Sequence, residues 1–426
     1  MFGTPSGSLH ITAELLGLSE VKVLDVRTNL SAREITITVE STRKHILCRQ
    51  CGEPTKSHGL GRKLRLRHLP MFGKETIIEI IPRRGRCEHC DGGSTTTEIL
   101  DWYDAKGKLT KPLEHHLLFE LVNSTVADVS RKADVDYHTV DALIDRYIET
   151  DIDFSTIKTL GVLGLDEISM KKGYRDFVTL ITYRVDDKVN ILGVVNGREM
   201  SNVIQFLRSI PIPLRNSIRA VCCDLYDGYM NACKAVFNKT IPIVADRFHV
   251  RKLYRNSLIS LRKSELKRLK KELTEGEYAA LKPAISLLRK QKDHFTEEEK
   301  VVVESLFLVS PKLKQGYQFS RQLSGIFDSH ISPEVAKEKM TEWVNKVTAS
   351  ELTCFNRFIQ TLVNYQEPIT NYFIARHTSG FVEGFNNRVK VLKRRCYGLS
   401  EPTKLFQRLI VDTTGMARFA PGVAAF

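Results

Sequence analysis

The sequence predicts a multidomain α+β protein, in which an α/β core split by a helical insertion follows a small β module and a helical pair. Three observations carry that expectation. At 426 residues the chain is longer than one ordinary hydrophobic core organises. Its first hundred or so residues alternate apolar and polar side chains and contain two C-x-x-C pairs. From about residue 155 the pattern changes to apolar runs that end in acids, and from about 250 to 365 it becomes helical and charged.

The composition bounds the class. Hydrophobic residues make up 42% and charged residues 27%, which is globular rather than disordered. No apolar run approaches the ~20 residues of a membrane span. The opening "MFGTPSGSLH" lacks the basic and apolar regions of a secretory signal, so an intracellular protein is expected. The 64 Lys+Arg against 50 Asp+Glu leave a net charge of +14. Such an excess serves solubility or meets an anionic partner, and with no lipidation motif nucleic acid is favoured over a membrane surface. Nine cysteines without a regular framework point to reduced thiols.

Residues 1–104 form the predicted β module. "REITITVEST" and "ETIIEIIPRR" alternate as strands do, and "CRQC" and "CEHC" each follow such a strand. A C-x-x-C turn presents two thiolates to one ion, so Cys48, Cys51, Cys87 and Cys90 would complete a tetrahedral shell around one structural Zn²⁺. The 35 residues between Cys51 and Cys87 are more than a usual zinc ribbon has. His58, His68 and His89 are spare candidates, and a redox pair or coincidence is the competing reading.

Residues 105–152 read as helical. "LTKPLEHHLLFELV" is one helix, and "VADVSRKADVDYHTVDALIDRYI" has the spacing of a helix-turn-helix. Ala127, Val129 and Ala133 would line its first helix, and Val140, Leu143, Ile144 and Ile148 its second. Tyr137, His138 and Thr139 would then face a DNA groove. Many plain packing hairpins share this pattern.

The core is expected over 153–250 and 366–426, with the insertion at 251–365. The element order reads β-β-β-α-β-α-β, from "TLGVLGLDEIS" through "IRAVCCDLYDGY" to a fifth strand, "TIPIVADRFHV". Asp166 and Asp224 each end an apolar strand. If the two strands are parallel neighbours, both carboxylates emerge at the edge where α/β sheets place ligands. Like charges facing one gap repel unless protonated or metal-bound, and a hard divalent cation resolves the conflict. Asp246 and His249 close the fifth strand. His249 has three open roles: beside a scissile phosphate, orienting Asp246, or as a structural histidine.

Along "GFVEGFNNRVKVLKRRCYG", Val382, Phe385, Val389, Leu392 and Cys396 share one apolar helix face. Glu383, Asn387, Lys390 and Arg394 share a polar stripe. The apolar face would dock on the sheet and hold Glu383 near its edge, with Gly380 and Gly384 allowing close approach. Arg388, Lys390, Lys393, Arg394 and Arg395 would follow a phosphate chain. Strand order, two strand-end aspartates and a late glutamate describe a ribonuclease-H-like α/β core. Asp166, Asp224 and Glu383 would there hold two Mg²⁺ or Mn²⁺ ions ~3.5–4 Å apart. The 159-residue step from Asp224 to Glu383 leaves room for the insertion.

Taken together, these segments resemble bacterial insertion-sequence transposases of the ISL-three family. "CRQCG" with "RRGRCEHC" is similar to that family's zinc module, and "LGLDEISMKKG" to its first-aspartate segment. "CCDLYDGYMNACKAVF" with "IVADRFHVRKL" resembles the second-aspartate region and a D-x-x-H element. "GFVEGFNNRVKVLKRRCYG" resembles the glutamate helix. The chain departs from the family pattern at Arg49, where proline is frequent, and at Gly380. The resemblance implies a DDE transposase of the bacterial cytoplasm and nucleoid. Such an enzyme binds terminal inverted repeats in double-stranded DNA, cleaves the ends and joins 3′-hydroxyls to target DNA. Asp166, Asp224 and Glu383 would be catalytic, with His249 auxiliary. Pairing two ends implies a homodimer or larger assembly on DNA. A domesticated DNA-binding regulator without catalysis is the alternative.

Overall fold

The computed structural model describes residues 12–171, 176–237, 241–288 and 295–420. The chain divides into two compact units, 1–149 with 407–426, and 150–406.

The first unit begins with seven strands: β1 (Val21–Asn29), β2 (Glu34–Ser41), β3 (Lys56–Leu60), β4 (Leu64–Met71), β5 (Lys74–Ile80), β6 (Arg83–Arg86) and β7 (Thr95–Thr97). They form a four-stranded sheet in the order β1-β2-β5-β4 and a three-stranded sheet β3-β6-β7. The alternation read in the sequence is the burial pattern of β2, where Ile35, Ile37 and Val39 point inward. Phe72 and Gly73 both adopt positive φ between β4 and β5, the twist a two-residue hairpin needs. Helices α1 (Lys111–Glu120), α2 (Val126–Ala133) and α3 (Tyr137–Tyr147) follow. Asp134, in the left-handed region, stops α2, and Asp136 caps α3 by accepting from the Thr139 amide. Val129, Val140, Leu143, Ile144 and Ile148 are buried as expected, whereas Ala127 is exposed.

The second unit is built on β8 (Gly161–Ser169), β9 (Phe177–Val185), β10 (Lys188–Asn196), α4 (Met200–Ser209), α5 (Ile212–Arg215), β11 (Ile218–Cys223), α6 (Asp227–Phe237) and β12 (Ile243–Ala245). The sheet order is β10-β9-β8-β11-β12. β8, β9 and β10 are antiparallel neighbours, while β8, β11 and β12 run parallel. The long helix α7 (Arg247–Glu272) leads into α8 (Glu275–Leu287), α9 (Glu297–Val309), α10 (Pro311–Asp328), α11 (Pro333–Ala349), α12 (Asn356–Asn364), α13 (Gln366–Thr370) and α14 (Tyr372–Ala375). Trp343 of α11 sits at the centre of this helical block, donating to the Phe319 carbonyl at 2.9 Å and meeting Phe355 and Phe358 edge-on. Helix α15 (Gly380–Arg395) returns to β8, and α16 (Pro402–Phe419) ends the described chain. From Gln407 onward α16 belongs to the first unit, where Val411 and Phe419 join the core of α1–α3.

Two glycines let helices approach the sheet. A Cβ on Gly164 of β8 would overlap Val382 of α15, and one on Gly193 of β10 would overlap Phe206 of α4. Gly164 pairs with Thr182 and Gly193 with Ile181, so they sit on opposite faces. Of the close approach by backbone or substrate expected at Gly380 and Gly384, the backbone part falls instead on the strand. A Cβ on Gly384 would meet nothing, and one on Gly380 only an ordinary contact with Thr378.

The fifth strand is shorter than the sequence suggested, with three residues. Asp246 accepts from the Phe248 amide at 3.0 Å and starts α7 as its N-cap, so "DRFHV" is a helix start and His249 lies in its first turn.

Candidate active site

Leu165 of β8 is level with Cys223 of β11, which is level with Ala245 of β12. The next residue in each chain segment is an aspartate: Asp224 and Asp246 directly follow β11 and β12, and Asp166 lies in β8 where its parallel pairing with β11 stops, so the three emerge level with one another. Open α/β sheets present their ligand sites at the carboxyl ends of their parallel strands. Burial pushes the Asp166 carboxyl up to about 7, and the Asp224 charge adds to the effect. Asp246 is also buried, which alone would raise it. Hydrogen bonds from His249, Ser379 and the Phe248 amide outweigh that and hold it below its ordinary value.

His249 answers this crowding. Its Nδ1 lies 2.7 Å from Asp224 and 3.0 Å from Asp246. Hydrogen bonding to Asp224 and then Asp246 lifts its pKa to about 10, so the ring is an imidazolium at neutral pH. Ligand atoms of Asp224, Asp246 and His249 all lie within 4.8 Å of one another, a spacing that fits a metal ion.

Helix α15 closes the site from one face of the sheet. Val382, Phe385, Val389 and Leu392 are buried as the wheel predicts, while Cys396 is only partly covered. Asn386, unforeseen in the sequence, is also buried, and its amide donates to Asp166. Ser379, at the helix N-cap, hydrogen-bonds Asp246. Glu383 lies four residues after Ser379 and three before Asn386, hence on the same helical face. It is exposed, and it is not one of the groups drawn within 4.8 Å around Asp224. Ser379 and Asn386 were legible only as neighbours of Glu383 at helical spacing.

The basic run on α15 divides. Arg388, Lys390 and Arg394 are exposed, and Arg395 is partly covered. Lys393 donates to the carbonyls of Ser169 and Met170, and burial lowers its pKa. It therefore ties α15 to the end of β8 instead of standing free for phosphate, because those terminal carbonyls need a donor.

In the first unit the sulfurs of Cys48, Cys51, Cys87 and Cys90 gather within 4.8 Å. Cys48 lies 3.8 Å from Cys90, and Cys51 lies 3.5 Å from Cys87. A tetrahedral ion with Zn–S bonds of ~2.3 Å separates its sulfurs by roughly 3.8 Å. The Gln50 and His89 amides each donate to the sulfur two residues back, and Gly52 takes φ 78° to close the first turn. The amides of Cys51 and Gln50 bring the Cys48 thiol down to about 5, whereas the Cys51 sulfur and burial push Cys90 up to about 12. The four sulfurs cannot all ionise together without a cation, and the site fits zinc. His58 and His89 are exposed, and His68 is buried against Thr110; none joins the cluster.

Comparison with known proteins now decides the family. Residues 163–409, which include Asp166, Asp224, Asp246 and Glu383, match the family model for transposases of the DDE type, ISL-three group. The chain belongs to the ISL-three transposase family. It is 25% identical to the transposase for insertion sequence element IS1001 of Bordetella parapertussis over 387 residues, covering 91% of this chain and 93% of that protein. It is 19% identical to the transposase for insertion sequence element IS1557 of Mycobacterium tuberculosis over 398 residues, or 88% and 87% of the two chains. In this transposase Tyr137, His138 and Thr139 are all exposed on the first turn of α3. Among the described residues no helix is long and apolar enough to cross a membrane.

Proposed function

We propose that this transposase binds the terminal inverted repeats of its insertion sequence, cuts the DNA at the ends and joins the 3′-hydroxyls to target DNA. The reading is carried by the level placement of Asp166 and Asp224 where the parallel pairing of β8 and β11 ends, beside the helix that bears Glu383. The strand order, with three antiparallel strands followed by two parallel ones, supports a ribonuclease-H-like core.

Asp166, Asp224 and Glu383 would hold two Mg²⁺ or Mn²⁺ ions. When bound, such ions lower the pKa of an attacking water or hydroxyl and stabilise the leaving oxygen. Asn386 fixes the carboxylate plane of Asp166, and Ser379 holds Asp246. His249 neutralises Asp224 and Asp246 while the ions are absent, and it remains beside the scissile phosphate as an auxiliary group. One zinc on Cys48, Cys51, Cys87 and Cys90 stabilises the 1–104 module. The 105–152 helix-turn-helix reads duplex DNA through Tyr137, His138 and Thr139. The 153–250 segment and the part of 366–426 before Gln407 carry the chemistry, since the chain from Gln407 onward belongs to the first unit; 251–365 is the helical insertion, and the active form on paired ends is a dimer or larger.

The test is incubation of the protein with DNA bearing its element's terminal repeats and Mg²⁺ or Mn²⁺. Cleaved and joined products from the wild type, absent with Glu383→Gln, are expected. Equal products from both would overturn the assignment of Glu383. Binding without products from either would favour a DNA-binding regulator. Light scattering with and without end DNA reads the assembly.

A further inference from the structure

A cavity of about 290 Å³ opens along α7, within one turn of the carboxylate centre. Phe248, Arg251, Lys252, Arg255 and Arg262 line it from α7, and Arg321 faces them from α10. The lining carries five positive side chains and, among the described residues, no carboxylate. The α7 positions recur at helical spacing, so they form one stripe that runs ~21 Å from Phe248 to Arg262. The stripe starts at the active-site edge: Phe248 is 53% exposed, and its ring meets His249 edge-on at 5.7 Å. The Nε of Arg251, on the inner side of this stripe, is buried and lacks a hydrogen-bond partner.

We propose that this trench binds a short unpaired DNA strand leaving the active site, with its phosphates on Arg251, Lys252 and Arg255 and a base stacked on Phe248. The inference rests on the transposase reading above and adds a second, single-strand site to it. Charge selects a polyanion, and the aromatic ring at the mouth selects one with flat bases. The cavity lies at the small end of ligand pockets, which suits one or two nucleotides of unpaired strand and excludes a duplex. Basic side chains one helical turn apart, Arg251 and Arg255, are ~6 Å apart along the axis, close to the phosphate spacing of an extended strand. In such a site, strand ends that have been separated by cleavage stay bound until joining.

The trial uses the full-length protein in chelator, so that no strand chemistry intervenes. Fluorescence anisotropy measures binding of a labelled 12-nucleotide oligothymidylate and of a 12-base-pair duplex. The wild type is expected to bind both. Arg251→Ala with Arg255→Ala should weaken the oligothymidylate at least tenfold and lower its salt slope by roughly 1.4, two single-strand phosphate contacts. Duplex affinity should stay within twofold. Phe248→Leu should cost about fivefold or more for the single strand with the salt slope unchanged. Trp343 fluorescence melts in a Trp102→Phe background verify that each variant is folded. Wild-type protein that ignores the oligothymidylate, or folded variants that bind it as the wild type does or lose both probes equally, would overturn the trench. Failure of cleavage with end DNA, while the oligothymidylate results hold, would instead remove the catalytic reading alone.

Discussion

The four cysteines come from two short turns, whereas Asp166, Asp224, Asp246 and His249 come from three adjoining chain segments and a helix start. Both clusters gather ligands whose charged forms repel. In the cysteine cluster the four sulfurs lie within 4.8 Å of one another, two of the pairs at 3.8 and 3.5 Å, close to the spacing around a tetrahedral ion. In the carboxylate cluster the His249 ring lies between two aspartates, burial raises the pKa of a third, and Glu383 stands outside the tight group. One centre gathers a single type of ligand, and the other mixes carboxylates with a histidine that balances their charge.

The contrast breaks most visibly at the cysteines. Replacing Cys48 and Cys87 with serine should take zinc from one per chain to none and unfold the N-terminal β module, since structural zinc contributes roughly 10 kcal/mol or more of apparent free energy. Atomic absorption and Trp102 fluorescence in a Trp343→Phe background read this; the chain has two tryptophans, one per unit. Unchanged zinc content would show that the cluster is not the site. Asp224→Asn and Glu383→Gln should each leave zinc intact while cleavage falls at least a thousandfold, on the order of 4 kcal/mol of transition-state stabilisation, and Glu383→Gln should also leave Trp343 melting unchanged.

The pH response sharpens the comparison further. His249 titrates near 10 in the folded chain, above its ordinary value, so the folded state holds a proton there that the unfolded chain releases. In chelator, the contribution of His249 to the stability of the 150–406 unit is therefore full below about pH 6.5 and lost as the pH rises toward 10. Trp343 melting temperatures in a Trp102→Phe background should fall by several degrees across that window, and His249→Gln should flatten the decline. A wild type with no slope there would contradict the ion pairs at His249.

Smaller effects concern the docking of α15. Gly164→Val must push Val382 off β8 and should cost about 1–3 kcal/mol, with a larger loss of cleavage than of stability because Glu383 moves with its helix. Lys393→Ala should lower the melting temperature through the freed carbonyls of Ser169 and Met170 yet leave the salt dependence of DNA binding unchanged. Lys390→Ala with Arg394→Ala should do the reverse, lowering the duplex salt slope by about 1.8.

Periodicity and spacing by themselves determined a great deal here. The C-x-x-C turns, the β-β-β-α-β-α-β order, the two helices around Asp134 and the apolar face of α15 all rest on residues within a few positions of one another, where backbone geometry dictates who faces whom. The extent of "TIPIVADRFHV" as strand did not follow from its apolar run, because a capping bond from Asp246 turns it into helix after Ala245. The rest needed tertiary structure. Asp246 joins Asp166 and Asp224 only through the register of three strands, Lys393 leaves the basic run only because β8 ends beneath it, and Gly164 matters only because α15 lands there. Register and docking are set by contacts between segments up to some two hundred residues apart, and no local pattern encodes which distant side chain will arrive.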